Sequence, residues 1–144
     1  MDLRDSLNQF YYDATVNDLR QLSRTGGGEL SYNSMMYLDV ISFQNEEGRC
    51  TVSSLAEILR VSRSAVTLKV NELVKLGLVE KRRSEEDRRV VYLDVCDVVR
   101  EALGAYDPPF DRAVRLVEGV YPPEEIETFC RILQTFRGEF LKGF

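Results

Sequence analysis

Residues 51–77 read TVSSLAEILRVSRSAVTLKVNELVKLG, and this stretch decides the fold. Thr51 can cap a short helix that runs through Leu59, because its side-chain oxygen can accept from a free amide of the first turn. Ser62 can cap a second helix over residues 63–76, and Gly77 suits the position just after its end. Two helices joined by about three residues must cross steeply, so the stretch predicts a helix-turn-helix.

The apolar positions indicate which faces of the two helices meet. The residues expected to pack between them are Leu55, Ala56 and Leu59 of the first helix and Val66, Val70 and Leu73 of the second. Helical geometry then turns a mostly polar face of the second helix outward. That face carries Arg63 at its N-terminal end, followed by Ser64, Thr67, Leu68, Asn71 and Lys75. Short polar side chains and an arginine suit a helix whose N-terminal half enters a DNA major groove and reads base edges.

A charged run, KRRSEEDRRVVYLDV at residues 81–95, follows the second helix. Residues 78–82 can form a strand, residues 84–87 a turn, and residues 89–95 a second strand rich in β-branched and aromatic residues. We therefore predict a β-hairpin, or wing, directly behind the helix pair. The charges alone are equally compatible with a plain solvent-facing loop. In a wing, Lys81, Arg82 and Arg83 become candidate phosphate contacts, while Glu85 and Glu86 are turn residues.

The segments before this lobe are predicted to be helical. Apolar side chains recur at helical spacing over residues 3–23. Residues 25–28 form a flexible linker rather than a phosphate-binding loop, because no Lys-Ser or Lys-Thr follows the glycines. Residues 31–43 predict a second helix, which polar residues 44–48 close. Its methionines and tyrosines are expected to fill the core, although they could instead line a ligand pocket.

The C-terminal third is also expected to be helical. A helix that begins after Cys96 must break or kink at residues 107–109, where two prolines remove amide donors. The helical pattern resumes over residues 110–120, and Pro122-Pro123 starts a last helix. That helix carries one long apolar stripe formed by Ile126, Phe129, Leu133, Phe136 and Phe140. Because this stripe exceeds what a small core needs, we expect its burial between two subunits, against the aromatic first helix.

Charge is distributed unevenly along a chain that is otherwise ordinary for one globular domain of 144 residues. The net charge is −5, yet residues 49–93 carry ten Lys or Arg against six Asp or Glu. The remaining residues carry nine Lys or Arg against eighteen Asp or Glu. The asymmetry predicts one basic element that meets a polyanion, on a body that does not.

Several functional classes are disfavoured by what the sequence lacks. No apolar stretch approaches the roughly 18 residues of a membrane span, and the N-terminus lacks secretory features, so a cytoplasmic location without a membrane partner is expected. The three cysteines, Cys50, Cys96 and Cys130, are widely spaced, and the chain has no histidine. Buried free thiols are therefore favoured over disulfides or zinc ligands. We expect no cofactor, no metal site and no enzymatic activity, because no nucleophile-base pair emerges.

The sequence resembles the MarR family of bacterial winged helix-turn-helix transcriptional regulators. The resemblance is carried by LAEILRVSRSAVT in the helix pair, ELVKLGLVEKR in the connector and EEDRRVVYL in the wing. Within the wing, Asp87, Arg88 and Arg89 match the family's Asp-x-Arg signature. The late segment YPPEEIETFCRIL resembles the start of the family's closing dimerisation helix.

The resemblance implies a mainly α fold with a small β-hairpin wing, in a single domain over residues 1–144. Residues 31–96 would form the winged DNA-binding lobe, and residues 1–30 and 97–144 a helical dimerisation region. The partners implied are a second copy of the chain, double-stranded DNA with a pseudo-palindromic operator, and a small-molecule effector that relieves repression. Ser62, Arg63, Ser64 and Thr67 would start the recognition helix, and Asp87 would orient Arg89 in the wing.

Several positions depart from the family pattern. Arg60 lies in the turn where glycine is favoured, so either it adopts a left-handed conformation or the turn differs. Leu68 could touch a thymine methyl group or merely pack, and Asp94 replaces a threonine. The alternative function is a winged-helix module that binds a protein partner and not DNA, in which case the charges of the wing only solvate it.

Overall fold

The computed structural model describes residues 1–24, 30–104 and 107–143. The chain divides into two compact units, Met1–Leu103 and Gly104–Phe144. The helices are α1 Leu3–Arg24, α2 Tyr32–Glu47, α3 Val52–Leu59, α4 Arg63–Lys75, α5 Asp97–Gly104, α6 Asp107–Val120 and α7 Pro123–Phe140, with a 3₁₀ turn at Leu141–Gly143. The strands are β1 Cys50–Thr51, β2 Val79–Arg83 and β3 Val91–Val95. The predicted fold class, mainly α with a small β wing, is confirmed.

The three strands form one antiparallel sheet in the order β1-β3-β2. In the hairpin, Val79 pairs with Val95 and Arg83 pairs with Val91. Strand β1 pairs Cys50 with Leu93, which adds a third strand that the sequence did not predict. Two residues are too few to show an alternating pattern, so only the pairing with β3 reveals β1.

The core of the first unit lies between α2, the α3–α4 pair and the sheet. The fully buried side chains in it include Ile41, Cys50, Leu55, Val66, Val70, Leu73, Leu93 and Val95. All three inward positions predicted on α4 are among them, and on α3 Leu55 and Ala56 are buried while Leu59 is half-buried. The amide Nε2 of Gln21 donates to the Ala102 carbonyl at 2.8 Å, which links α1 to α5. The apolar side chains that recur at helical spacing on α3 and α4 therefore determine which faces of the helix pair enter the core.

Both helices of the pair begin at the predicted caps. Thr51 and Ser54 form a capping box, in which the Ser54 amide donates to Thr51 Oγ1 at 3.0 Å and the Thr51 amide donates to Ser54 Oγ at 2.9 Å. Ser62 Oγ accepts from the Ala65 amide at 3.1 Å. Gly77 has a φ of 74°, as its predicted place after the helix end requires.

Other predicted boundaries shift. Helix α2 continues to Glu47 instead of closing after Phe43, because Asn45 bonds the neighbouring strand from within the helix. Strand β3 begins at Val91, so Arg89 lies in the loop at the tip of the hairpin and not in a strand. The prolines 108 and 109 fall in the first turn of α6, where a missing amide is tolerated. The predicted linker at residues 25–28 lies outside the described residues, as does the end of the predicted helix before the break, residues 105–106.

In the second unit, α7 presents its apolar stripe to solvent. Phe129 is 59% exposed, Leu133 41% and Phe140 56%. The rings of Phe136 and Phe140 stack with centroids 5.6 Å apart. Cys130 beside the stripe is exposed, so the prediction of a buried thiol is wrong for this residue within the single chain.

Candidate nucleic-acid interface

The outward face of α4 carries the side chains that the sequence placed there. Ser62, Arg63, Ser64, Thr67, Leu68, Asn71 and Lys75 are all exposed. Among them Leu68 is the large apolar side chain, and 74% of it is open to solvent. Leu68 therefore does not pack against the rest of this chain. Of the two roles considered for it, packing is excluded within the single chain. The face offers hydroxyls, an amide, two cations and one apolar group to a partner.

The turn before α4 is held by an unusual backbone conformation. Arg60 has φ 53° and ψ 44°, in the left-handed region, and its amide donates to the Ala56 and Glu57 carbonyls at the end of α3. A left-handed residue here ends α3 and lets α4 start after two further residues. The sequence analysis therefore identified the strained position correctly. Arg60 adopts the left-handed conformation, which glycine would adopt at a lower free-energy cost.

The tip of the wing is a compact loop between β2 and β3, residues 84–90. Ser84 is only 6% exposed; its amide donates to the Val90 carbonyl at 2.9 Å and its Oγ accepts from the Asp87 amide at 3.2 Å. Arg83 Nη1 donates to the Arg88 carbonyl at 3.0 Å across the loop. These bonds close the loop on itself, so its side chains project from a defined backbone.

Asp87 holds Arg89 in a single orientation. Arg89 Nε donates to Asp87 Oδ1 and Arg89 Nη2 to Oδ2, both at 3.1 Å, and the Arg89 amide also donates to Oδ1 at 3.0 Å. These hydrogen bonds lower the pKa of the Asp87 carboxyl and raise the pKa of Arg89. The Arg89 side chain is nevertheless 90% exposed. A charged fork is thus displayed at the tip of the wing with little freedom to turn away.

A hydrogen bond connects the wing to the outward face of α4. Lys81 Nζ, on β2, donates to Asn71 Oδ1 at 2.5 Å. Both residues are exposed, so this bond lies on the surface that the two elements share. The structure therefore brings together Asn71 and Lys81, which the sequence had placed in two separate sets. Arg82 and Arg88 have no ion pair among the described residues.

A shallow groove of about 410 Å³ at the wing is lined by the predicted residues 81–83 and also by residues that the sequence did not single out. The Arg49 guanidinium lies 4.7 Å from the centre of the Tyr92 ring, a cation–π contact. Asn45 Nδ2 donates to the Leu93 carbonyl at 2.7 Å and fixes the end of α2 against β3. Asp94 pairs with Arg100 at 3.0 Å, which gives this departure from the family pattern a structural role. No sequence pattern joins Arg49 to Tyr92 or Asn45 to Leu93, because these pairs meet only where distant segments pack on the sheet.

Metal and thiol chemistry have little support in the described residues. They contain no group of three or more side chains arranged to hold a metal ion. Burial raises the pKa of the Cys50 thiol to about 11, and burial, followed by the nearby Glu80, raises the pKa of Cys96. Thiols with raised pKa values are poor nucleophiles at neutral pH. None of the helices in the described residues combines the length and apolarity needed to span a bilayer.

A capped helix pair followed by a β-hairpin wing, which pairs with a short strand that precedes the helices, defines the winged helix-turn-helix class of protein. Residues 29–90 match the MarR family model. The transcriptional regulator AdcR of Streptococcus pneumoniae is 30% identical over 96 residues, which cover 65% of this chain and 66% of that protein. The resemblance to the MarR family of transcriptional regulators, which the helix-turn-helix and the wing signature predicted, is confirmed by these matches.

Two further similarities extend the match. An HTH-type transcriptional regulator of Bacillus subtilis, YwhA, is 29% identical over 89 residues, or 60% of this chain and 62% of that protein. The crystal structure of Streptococcus pneumoniae FabT in complex with DNA superposes with a TM-score of 0.68 and 25% identity, covering 97% of this chain and 95% of that one. The chain spans a little under two thirds of the length of both curated relatives. These relatives are regulators, which agrees with the prediction that the chain is not an enzyme.

Proposed function

We propose that this protein is a transcriptional regulator that binds double-stranded DNA through α4 and the wing. The observation that carries the proposal is the fixed orientation of Arg89 by Asp87 at the tip of a wing whose strand β2 bonds the polar outward face of α4 through Lys81. A helix face of this composition suits base edges in the major groove, and an exposed arginine at the tip of the wing suits the narrower minor groove. The similarity to FabT, which was crystallised with DNA, supports the same partner.

We further propose that the protein acts as a homodimer on a pseudo-palindromic operator. The exposed stripe on α7 supplies apolar surface for a second copy, and two symmetric lobes would address two half-sites about one helical turn apart. Repression, its relief by a small molecule and a cytoplasmic location complete the proposal by family resemblance. Footprinting on DNA upstream of the protein's own gene would give the operator and the half-site spacing together.

Fluorescence anisotropy with the footprinted operator tests the DNA-binding proposal. We expect the logarithm of the affinity to fall linearly with the logarithm of the salt concentration, because phosphate contacts release counterions. The variant Arg89→Ala should bind about tenfold more weakly, as expected for the loss of one charge-assisted groove contact in each half-site. Arg112→Ala, which removes an exposed arginine from α6, should bind like the wild type.

Asp87→Ala separates positioning from charge at the wing tip. This variant becomes more positive, so a purely electrostatic role of the wing predicts tighter binding. Positioning of Arg89 by Asp87 predicts weaker binding in spite of that gain in charge. A folded dimer without any salt-sensitive affinity for its upstream DNA would overturn the proposal.

The alternative, a module that binds a protein partner, is not favoured by the family assignment. The double variant Arg88→Glu with Arg89→Glu distinguishes the two functions. The double variant should abolish operator binding if the wing contacts DNA. It should leave the binding of the protein partner unchanged if the charges of the wing only solvate it.

A further inference from the structure

The recognition face of α4 combines one apolar side chain with one polar side chain of fixed orientation. Leu68 and Asn71 are three residues apart in the helix, so their side chains are neighbours on the same face. Leu68 is 74% exposed, whereas Val66, Val70 and Leu73 of the same helix are fully buried and Val74 is half-buried. A leucine so exposed on a polar face offers an apolar contact to whatever covers that face.

The orientation of the Asn71 amide follows from its partner. The Lys81 ammonium can only donate hydrogen bonds, so the atom that faces it must be the carbonyl oxygen, Asn71 Oδ1. The amino group, Nδ2, has no hydrogen-bond partner among the described residues. While Lys81 holds the oxygen toward the wing, Asn71 therefore presents its Nδ2 donor outward. Lys81 itself retains two further N–H groups for phosphate oxygens.

The four bases differ in the groups that they present to such a pair of side chains, one apolar and one a hydrogen-bond donor. In the major groove, thymine presents a C5-methyl group and, beside it, the O4 acceptor. Cytosine presents an amino donor and no methyl group, guanine presents two acceptors and no methyl group, and adenine presents an amino donor beside its N7 acceptor. Thymine is the base that matches an apolar side chain adjacent to a hydrogen-bond donor.

We propose that Leu68 and Asn71 together select a thymine in each half-site of the operator, and that Lys81 is a positioning residue that keeps the Asn71 donor turned outward. The inference rests on the proposed function, since it names the base that the recognition helix reads. It also explains why an apolar residue stands at position 68 on an otherwise polar face.

Replacing each symmetric pair of operator thymines by uracil tests the apolar half of the inference. Uracil keeps the O4 acceptor and lacks only the methyl group. We expect one symmetric pair at which uracil weakens binding by about three- to tenfold, the effect of uncovering one methyl group in each half-site. Leu68→Ala should bind the thymine and uracil operators equally. Leu76→Ala, which trims an exposed leucine at the end of α4, should keep the preference for thymine.

Replacing the same adenine–thymine pair by guanine–5-methylcytosine tests the donor half. This base keeps the methyl group but turns the acceptor O4 into an amino donor. Wild-type protein should bind it at least tenfold more weakly, because two donors then face each other. Asn71→Ala should lose most of this discrimination. Lys81→Met removes the bond that holds Asn71 Oδ1 toward the wing, so the amide can turn its acceptor outward. This variant should therefore lower the ratio of affinities between thymine and 5-methylcytosine and leave the ratio between thymine and uracil unchanged.

The outcomes separate this inference from the proposed function. Absence of operator binding would overturn both. Specific, salt-sensitive binding with equal affinity for thymine and uracil at every position would overturn the inference alone, as would a Leu68→Ala variant that still prefers thymine. An unchanged preference of Lys81→Met for thymine over 5-methylcytosine would overturn the positioning role of Lys81.

Discussion

At the scale of single residues, this protein places several charged groups where they restrain one another. Asp87 orients Arg89, and Lys81 orients Asn71, by hydrogen bonds between side chains at the surface. Exposed pairs of this kind contribute little to stability, because water screens their charges. Their role is to limit the orientations available to a contacting group before its partner arrives. The two pairs are therefore better judged by binding measurements than by unfolding.

Asp39, on α2, is a residue whose charge opposes folding. Partial burial, followed by the nearby Asp18 carboxylate of α1, raises the pKa of Asp39 to about 6. The native state thus holds this proton more tightly than the unfolded chain does. The stabilisation that the bound proton on the Asp39 carboxyl contributes is complete below about pH 4 and is lost as the pH rises through about 6.

We predict that Asp39→Asn stabilises the protein at pH 7 by about 1–2 kcal/mol, after allowance for solvent screening. Below about pH 4 the gain should vanish, because the wild-type carboxyl is then protonated in both states. Urea unfolding between pH 4 and pH 7.5, at constant protein concentration, measures the difference. Asp13→Asn, which makes the same change of charge at an exposed site on α1, is the control. An equal effect of both variants would contradict a specific role for burial at Asp39.

At the scale of elements, the helix pair is defined by its ends. Thr51 and Ser62 stop the backbone from extending α3 and α4 backwards, and the left-handed Arg60 ends α3. A capping side chain bonds an amide within one turn of the same helix, so its effect can be predicted from the sequence. The shape of the wing depends on contacts across its loop and not on near neighbours alone. Ser84 is buried there and bonds both sides of the loop.

The turn between α3 and α4 can be tested by relieving its strain. A non-glycine residue in the left-handed region costs about 1–2 kcal/mol, and glycine loses about 0.5–1 kcal/mol more than other residues in chain entropy on folding. We predict that Arg60→Gly raises the free energy of unfolding by about 0.5–1 kcal/mol. Arg60→Ala keeps a Cβ in the strained conformation and should bring no gain. A stabilisation by alanine equal to that by glycine would assign the effect to the arginine side chain.

At the scale of the whole molecule, the chain leaves apolar surface that a single copy does not cover. The stripe on α7 remains exposed in the second unit, although it is as apolar and regular as a core helix. The same regularity led to the prediction of a subunit interface. Large apolar patches on regulators of this size are normally covered by a symmetric copy.

We predict that the protein sediments as a dimer and that Leu133→Glu raises the dimer dissociation constant at least tenfold, because it buries a charge in the interface. Thr135→Glu adds the same charge on the opposite side of α7 and should remain dimeric. Sedimentation equilibrium measures both constants. A monomeric wild type, or equal behaviour of the two variants, would contradict a dimer built on this stripe.

The sequence by itself determined the features that depend on near neighbours along the chain. Caps, helical periodicity and the hairpin pattern located α3, α4 and the wing, and the family signature located Asp87 and Arg89. The tertiary structure decided what depends on distant segments: the pairing of Cys50 with Leu93 in β1, the contact of Arg49 with Tyr92, and the bond from Lys81 to Asn71. A capping hydroxyl or an apolar stripe acts within one or two helical turns, so the local structure that it favours can be predicted from the sequence. A hydrogen bond between two elements exists only once packing has brought them together, because each residue alone satisfies its groups with water.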